Sequence, residues 1–447
     1  MSTNRIMTEG SETRCIVSFT LPLLAGNLLQ QTYNVADTMI VGRYLGDDSL
    51  AAVGSTGSIT YLFYTLCIGR SVGAGALISQ YFGSRRLDRV RAAIVNSAVV
   101  TLIFALAATV PSVLLARQVL GWLGVPAKLL GRAATYMRIA CAGTVCVAAY
   151  NWINSVMRAL GDSRTPLIFL GVSTVLNVGL DLLFVICFGL GVGGAALATI
   201  LSQGISAASC IVYCFKLNDE IRPSKEEPHT DPVLMKKCVT TGLPIAAQNG
   251  LVSISMVALQ SVTNGFSETV MAAYTASMRI EQLVQQPFIS LNAAVSAFTG
   301  QNIGAGKQQR AVRGMKSALK IGSVFALVMF VLFALFGRNI VGLFVTGRKT
   351  VSIGAAALIM TGCCYVPLGV IHIVRGFLNG TGDTGYALVN GLAEVICRIV
   401  FSLILTRIPF IGWRGIWLTT SITWIVTAAV SVIRYRGGKW RLKAVTE

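Results

Sequence analysis

A chain of 447 residues that is 54% hydrophobic and only 12% charged, against about 25% charged in soluble proteins, is not built to be surrounded by water. At about 20 apolar residues per spanning helix, its apolar content matches about a dozen spans joined by short loops, which excludes a large cytosolic catalytic unit, a secreted disulfide scaffold and a disordered regulator. The net charge of +19 would suggest nucleic acid in a soluble chain, but here it must be read loop by loop, because Lys and Arg at the ends of spans set orientation.

In chain order, the amino-terminal MSTNRIMTEGSETR is polar. The apolar stretch after it is too long for a signal-peptide core and lacks a small-residue cleavage site, so the first hydrophobic segment is expected to be retained. Apolar runs between charged or Gly/Pro-rich breaks predict spans near 15–41, 51–80, 92–116, 129–157, 166–188 and 194–215. A second set follows near 241–264, 270–300, 317–336, 351–374, 385–406 and 415–433, giving an all-α membrane protein of twelve transmembrane helices. With the amino terminus inside, the inner segments carry 23 Lys plus Arg and the outer loops 8. That bias places both termini in the cytoplasm and suits a multi-pass protein of the inner membrane. The longest polar stretch, KLNDEIRPSKEEPHTDPVLMKK at 216–237, holds three of the eleven prolines and reads as a linker. The expected organisation is an N-terminal six-helix lobe at 1–215, a cytoplasmic linker at 216–240, and a C-terminal six-helix lobe with a cytoplasmic tail at 241–447. The basic tail RYRGGKWRLK suits anionic lipid headgroups better than nucleic acid.

The halves repeat. At an offset of 221 residues Gln80 meets Gln301, Gly83 meets Gly304, Gly121 meets Gly342, Gly161-Asp162 meets Gly382-Asp383, and Gly194 meets Gly415. Leu21-Pro22 and Asn27 return as Leu243-Pro244 and Asn249 at 222, after one residue of slippage in an outer loop. Six spans per copy is an even number, so the two lobes are parallel repeats related by an axis along the membrane normal, an architecture associated with alternating-access transport.

Several motifs then carry a family resemblance. They are Asn34-Val35-Ala36-Asp37 followed by GRYLG and LAAVG, the connection RALGDSRTP, the run from Asn177 to Asp181, and the loop GQNIGAGKQQRA. Together with the two six-span halves, the chain resembles the multidrug and toxic compound extrusion (MATE) family over nearly its whole length. The resemblance implies cation-coupled efflux of small amphipathic, often cationic, drugs or metabolites, with H⁺ or Na⁺ as coupling ion and no other cofactor, by a protein working as a monomer among membrane lipids.

Each intramembrane carboxylate needs a reason, since a charge at mid-bilayer costs about 2.5 to 3.5 kcal/mol even on the lenient insertion scale. Asn27, Gln30, Asn34 and Asp37 are spaced 3, 4 and 3 apart, forming one polar stripe on span one that is expected to face the lobe interior, with Tyr33 one turn before Asp37. Asn177 and Asp181 project from one face of span five. An amide oxygen beside a carboxylate suits Na⁺, and two nearby carboxylates can instead share a proton. The resemblance brings Asp37, Asn177 and Asp181 together with Thr199 of span six as the cation-coupling set, and adds Asn154 and Tyr33 to a substrate or proton network with Gln30 and Asn34. Bonding to its own helix backbone is an equally open role for Thr199. These residues do not recur in the second copy, where Asp181 falls on Ser402, Asn177 on Arg398, and Asp37 on Leu259 or Gln260.

The second lobe retains Glu281 and Arg279 on span eight, with Glu394 and Arg398 one turn apart on span eleven. Glu281 is the candidate for a second ion site, while the span-eleven pair is expected to neutralise itself. No zinc or redox CxxC pair occurs among eleven cysteines, His229 and His372 stand apart, and no Ser/His/Asp set is apparent, so no enzyme is expected. The loop GQNIGAGKQQRAVRG lacks the GxxxxGK[ST] phosphate pattern. A flippase for a lipid-linked precursor is the alternative; its cleft should be markedly cationic, and unpaired intramembrane arginine looks sparse.

Overall fold

The computed structural model describes residues 6–122, 124–217, 222 and 230–443. His229 and part of the expected linker, residues 218–221 and 223–229, lie outside them. The helices are α1 (Glu12–Leu45), α2 (Asp47–Gly83), α3 (Leu87–Leu114), α4 (Ala116–Trp122), α5 (Ala127–Ala142), α6 (Thr144–Ala159), α7 (Arg164–Asp181) and α8 (Gly191–Leu217). They continue as α9 (Pro232–Thr263), α10 (Glu268–Gly304), α11 (Gln308–Gly342), α12 (Arg348–Gly362), α13 (Tyr365–Thr381), α14 (Gly385–Leu405) and α15 (Arg414–Arg436). A π-helical turn, Leu182–Cys187, extends α7, and no strand occurs among the described residues.

Among the described residues, seven helices, α3, α7 with its π-turn, α8, α9, α11, α14 and α15, are long and apolar enough to cross a membrane. The pairs α5–α6 and α12–α13, bent by 44° and 50°, bring the number to nine. The bends sit at equivalent places in the two repeats, Gly143 and Cys364. At Gly143 a side chain would collide with Ile200, which makes glycine the residue that lets α5 and α8 approach. The remaining long helices, α1, α2 and α10, have 34, 37 and 37 residues, more than a span requires. Their lower apolarity has a use: α10, for example, buries Ser277, Glu281, Ser290, Gln301 and Asn302 inside the protein instead of showing them to lipid.

Backbone chemistry at the repeated Gly-Asp pair ends α6 and α13. Gly161 and Gly382 adopt φ of 84° and 85°, a left-handed conformation glycine reaches without penalty. The following aspartates then diverge. Asp162 caps α7, its Oδ1 accepting from the amides of Arg164 (2.9 Å) and Thr165 (3.0 Å) and its Oδ2 from the Thr165 hydroxyl (2.6 Å). Asp383 accepts two bonds from Arg434, at 2.8 and 2.7 Å.

The chain divides into two compact units, Met1–Ile6 with Leu21–Ala246, and Met7–Thr20 with Ala247–Glu447. Two of the three division points, after Thr20 and after Ala246, fall inside helices, α1 and α9, rather than at the expected boundaries 215 and 241. Local packing explains the shift. In the first unit, the start of α9 meets α2 backbone to backbone at Gly69 with Ala246 and Gly73 with Gly242, where added side chains would clash. In the second unit, residues 7–20 bond to α10 and α11. Each unit has the same internal seam. Ser155 Oγ on α6 donates to Ser71 O on α2 at 2.5 Å; at the equivalent contact, Gly376 on α13 rests against the carbonyl of Asn292 on α10, where a Cβ would not fit. An apolar cluster in the second unit gathers Phe288, Phe333, Leu358, Tyr365, Leu368 and Trp424.

Candidate functional site

Helices α1, α7 and α8 of the first unit assemble most of the expected coupling set. The carboxyls of Asp37 and Asp181 lie within hydrogen-bonding reach of each other. Asn177 and Asp181 are fully buried, and Oδ1 of Asp37 is buried without a hydrogen-bond partner. Thr199 joins the group across α8, since its hydroxyl accepts from Tyr33 OH at 3.2 Å and from Asn177 Nδ2 at 3.4 Å. Thr199 therefore bonds side chains of the site. Directly after Asp181 the α-helix gives way to the π-turn, a widening that frequently marks functional positions.

Around this centre the polar surface extends along one further helix, α6. Gln30, Tyr33, Tyr150, Leu170, Ser173, Thr174 and Gln203 line a cavity of about 10 Å³, the scale of one water molecule. Asn154 is buried with its Oδ1 unpartnered and lies beside Tyr150 of that lining, one turn after it on α6. The expected stripe on α1 needs a correction at Asn34, which is exposed. Helical geometry explains the difference. At about 100° per residue, Tyr33 and Asp37 are separated by about 40°, whereas Asn34 lies about 60° beyond Asp37 on the other side. Gln30, between them, is exposed and reaches only the cavity lining.

Tyr136 of α5 and Tyr64 of α2, absent from the expected set, also lie near the group containing Tyr33. No local pattern marks them. By contrast Ser173, one turn before Asn177, and Gln203, one turn after Thr199, were readable from the i,i+4 spacing.

The second unit holds a different polar chain. Along α14, Tyr386, Asn390, Glu394, Arg398 and Ser402 recur every fourth residue, all buried. Arg398 Nη2 and Glu394 Oε1 pair at 2.9 Å. Glu281 is buried with Oε1 unpartnered and lies near Thr361 and Arg398, while Tyr274 and Tyr365 stand near it. Arg279 is exposed, and His372 stacks on Phe288 with ring centroids 6.4 Å apart. None of the eleven cysteines forms a disulfide. No group of three or more His, Cys, Asp or Glu that could hold a metal occurs among the described residues. The expectation that unpaired intramembrane arginine is sparse needs qualification, since Arg70 of α2 is buried over the Phe104 ring with Nε and Nη1 unpartnered.

Two helical repeats, long apolar helices and a buried carboxylate pair define a multi-pass membrane transporter. The MatE family model matches residues 22–183 and again 244–404, and the chain belongs to that family, whose members are transporters rather than enzymes. Its two matches reproduce the repeat. The chain is 28% identical to the "Probable multidrug resistance protein YpnP" of Bacillus subtilis (strain 168), over 98% of each chain. Its fold is similar to "MATE in the bent conformation", with a TM-score of 0.91, 24% identity and 99% of each chain covered. It is equally similar to an "outward-facing conformation of a multidrug resistance MATE family transporter", with a TM-score of 0.91, 23% identity and the same coverage. The flippase alternative gains no support from these matches.

Proposed function

We propose that the protein is a multidrug efflux antiporter of the inner membrane, exporting small amphipathic compounds, cationic ones among them, in exchange for H⁺ or Na⁺. One observation carries the coupling reading: Asp37 and Asp181 lie in hydrogen-bonding reach inside a membrane unit. Two carboxylates so close repel unless a proton or a cation sits between them. The oxygens of Asp37, Asn177, Asp181 and Thr199 form a hard donor set suited to Na⁺, and the same pair can share H⁺. Either ion is a co-substrate. Gln30, Tyr33 and Asn154 extend the network toward substrate, and Glu281 supplies a second ion site in the other unit. Both termini face the cytoplasm, residues 1–215 and 241–447 act as the functional halves, and one chain suffices for transport.

Proteoliposomes loaded with cationic dyes test this, with ΔpH and the Na⁺ gradient imposed separately. Uphill dye movement is expected with at least one gradient. Equal, purely downhill movement under both would overturn coupling.

A further inference from the structure

The basic, Gly-rich stretch from Gly300 to Gly314, which comprises the end of α10, the short α10–α11 loop and the start of α11, has no role in the site described above, yet several of its polar side chains are engaged. Gln301 Oε1 accepts from the Met7 amide at 2.8 Å, and Asn302 Nδ2 donates to Met7 O at 3.2 Å. Lys307 Nζ donates to Thr8 O at 3.0 Å, while Arg310 donates to Gly10 O at 2.7 Å and Glu9 O at 2.9 Å. Arg313 Nε then meets Glu12 Oε1 at 2.9 Å, and Thr13 Oγ1 donates to Ser317 Oγ at 3.2 Å. The cations of this loop therefore grip the carbonyls and the carboxylate that lead into α1.

The first repeat builds the same device. Arg89, the 221-residue equivalent of Arg310, meets Asp231 at 3.5 Å just before α9. Asn96, the equivalent of Ser317, accepts from the Asp231 amide at 2.9 Å. Arg86 and Gln80 stand where Lys307 and Gln301 stand in the second copy. Even the turn is shared: Gly306 has φ of 72°, and its equivalent Arg85 has φ of 58°, the only positive value at a non-glycine residue among the described residues. An arginine held in that uncommon conformation shows that the turn itself is required. Each loop thus grips the start of a first span, and each gripped helix changes unit along its length. Helix α1 passes from the second unit into the first after Thr20, and α9 passes from the first into the second after Ala246.

We infer that the two loops are twin latches, one in each unit, with Arg89 and Arg310 as positioning residues that hold the leading ends of α9 and α1, and that both latches release in each transport cycle. The inference rests on the alternating-access reading, in which the repeats move as bodies. A helix rooted in both units must then bend or free one end. The latches suit release. They are made of polar contacts that water can replace, and the Arg89–Asp231 and Arg313–Glu12 side chains are partly exposed. The latches also recur in both copies, unlike Asp37 and Asp181, which marks them as part of the moving frame instead of the ion site.

The test is a reversible lock. Thr13→Cys with Ser317→Cys, in a Cys15→Ser background, places two thiols where two hydroxyls now bond. In proteoliposomes, oxidation is expected to cut dye efflux at least tenfold and reductant to restore it. Cross-linked protein, confirmed by peptide mass, that transports at the reduced rate overturns the inference. A second arm needs no transport. Cys15 lies in the gripped segment, its Sγ donating to Glu9 O at 3.4 Å. In otherwise wild-type protein, Arg310→Gln is expected to raise maleimide labelling of Cys15 several-fold, read peptide by peptide. Glu12→Arg should do the same, and Glu12→Arg with Arg313→Glu should reverse it. If reduced protein moves no dye, the transport reading fails and the labelling arm judges the latch alone: a Cys15 rate unchanged by Arg310→Gln overturns it.

Discussion

Asp37→Asn and Asp181→Asn keep the volume of each side chain while removing the charge that a proton or Na⁺ would neutralise. Each is expected to abolish uphill efflux, by at least tenfold in the gradient assay, while the protein stays folded in the membrane. Ser402→Ala, at the place equivalent to Asp181, should leave efflux unchanged, because its hydroxyl bonds only to Ile399 O of its own helix. If both Asn variants pump at the wild-type rate, Glu281 is the next residue to change. Asp162 serves another purpose. Its three bonds at the start of α7 make it a helix cap, so Asp162→Ala should cost about 1 kcal/mol of stability. A lowered melting temperature in detergent, with the ion dependence of transport unaltered, would separate the two kinds of aspartate. Glu12 gives a pH prediction. Its own backbone amide, then the Arg313 bond and the Arg310 charge, hold its carboxyl below the usual value of 4.5. A group with a depressed folded-state value contributes in full above its unfolded value and loses that contribution as pH falls through the folded one. The Glu12 contact should therefore be intact from pH 5 to 8 and weaken only below about 4.5, with Cys15 labelling as the readout.

At the scale of helices, α14 is the element where charge and stability are most tightly joined. Glu394 and Arg398 are paired one turn apart and both are buried. Removing one partner strands a charge and typically costs about 3–5 kcal/mol, whereas replacing both with apolar residues is often close to neutral. Glu394→Gln should accordingly lower the melting temperature far more than Glu394→Leu with Arg398→Leu; the reverse order would show that α14 does not depend on the pair. This pair was legible in the sequence because a carboxylate and a guanidinium four residues apart on one apolar helix have few other options. The spans were legible for the same kind of reason, as were the repeat and the convergence of Asn177 with Asp181, since each follows from spacing along one chain. What spacing cannot give is the neighbour. Asn34 shares the stripe of Asp37 but lies too far around α1, and Tyr136 enters the site from a helix whose sequence gives no sign of it. Nor could periodicity show that residues 7–20 pack with the second unit, because their partners are side chains of a loop about 300 residues away.

For the molecule as a whole, the proposed antiport raises the question of how an ion bound at Asp37 and Asp181 would drive a substrate out. One elementary charge crossing 100 mV gains about 2.3 kcal/mol, or roughly a fifty-fold concentration ratio, so a single exchanged charge is an adequate drive. Coupling requires more than drive, because an ion shifts an equilibrium only by binding two conformations with different affinity. Helix α1 is where that difference can arise. It carries Asp37 and Tyr33, contains Pro22, and changes unit beside that proline. Proline removes a backbone donor and permits a bend, so loading the carboxylates can alter the packing of α1 where Gln30 and Tyr33 line the cavity. Substrate affinity should then fall when the ion binds, and by linkage ion affinity should fall by the same factor when substrate binds. Equilibrium binding of a cationic dye in detergent, titrated across pH at fixed Na⁺ and across Na⁺ at fixed pH, measures the factor from both directions. A dye affinity that stays constant in both titrations would reject competition through α1, even for a protein that proves to be an antiporter. Pro22→Ala is expected to reduce the factor while leaving dye affinity at saturating ion within about twofold of wild type, since the carboxylates remain and only the bend that connects them to the cavity is changed.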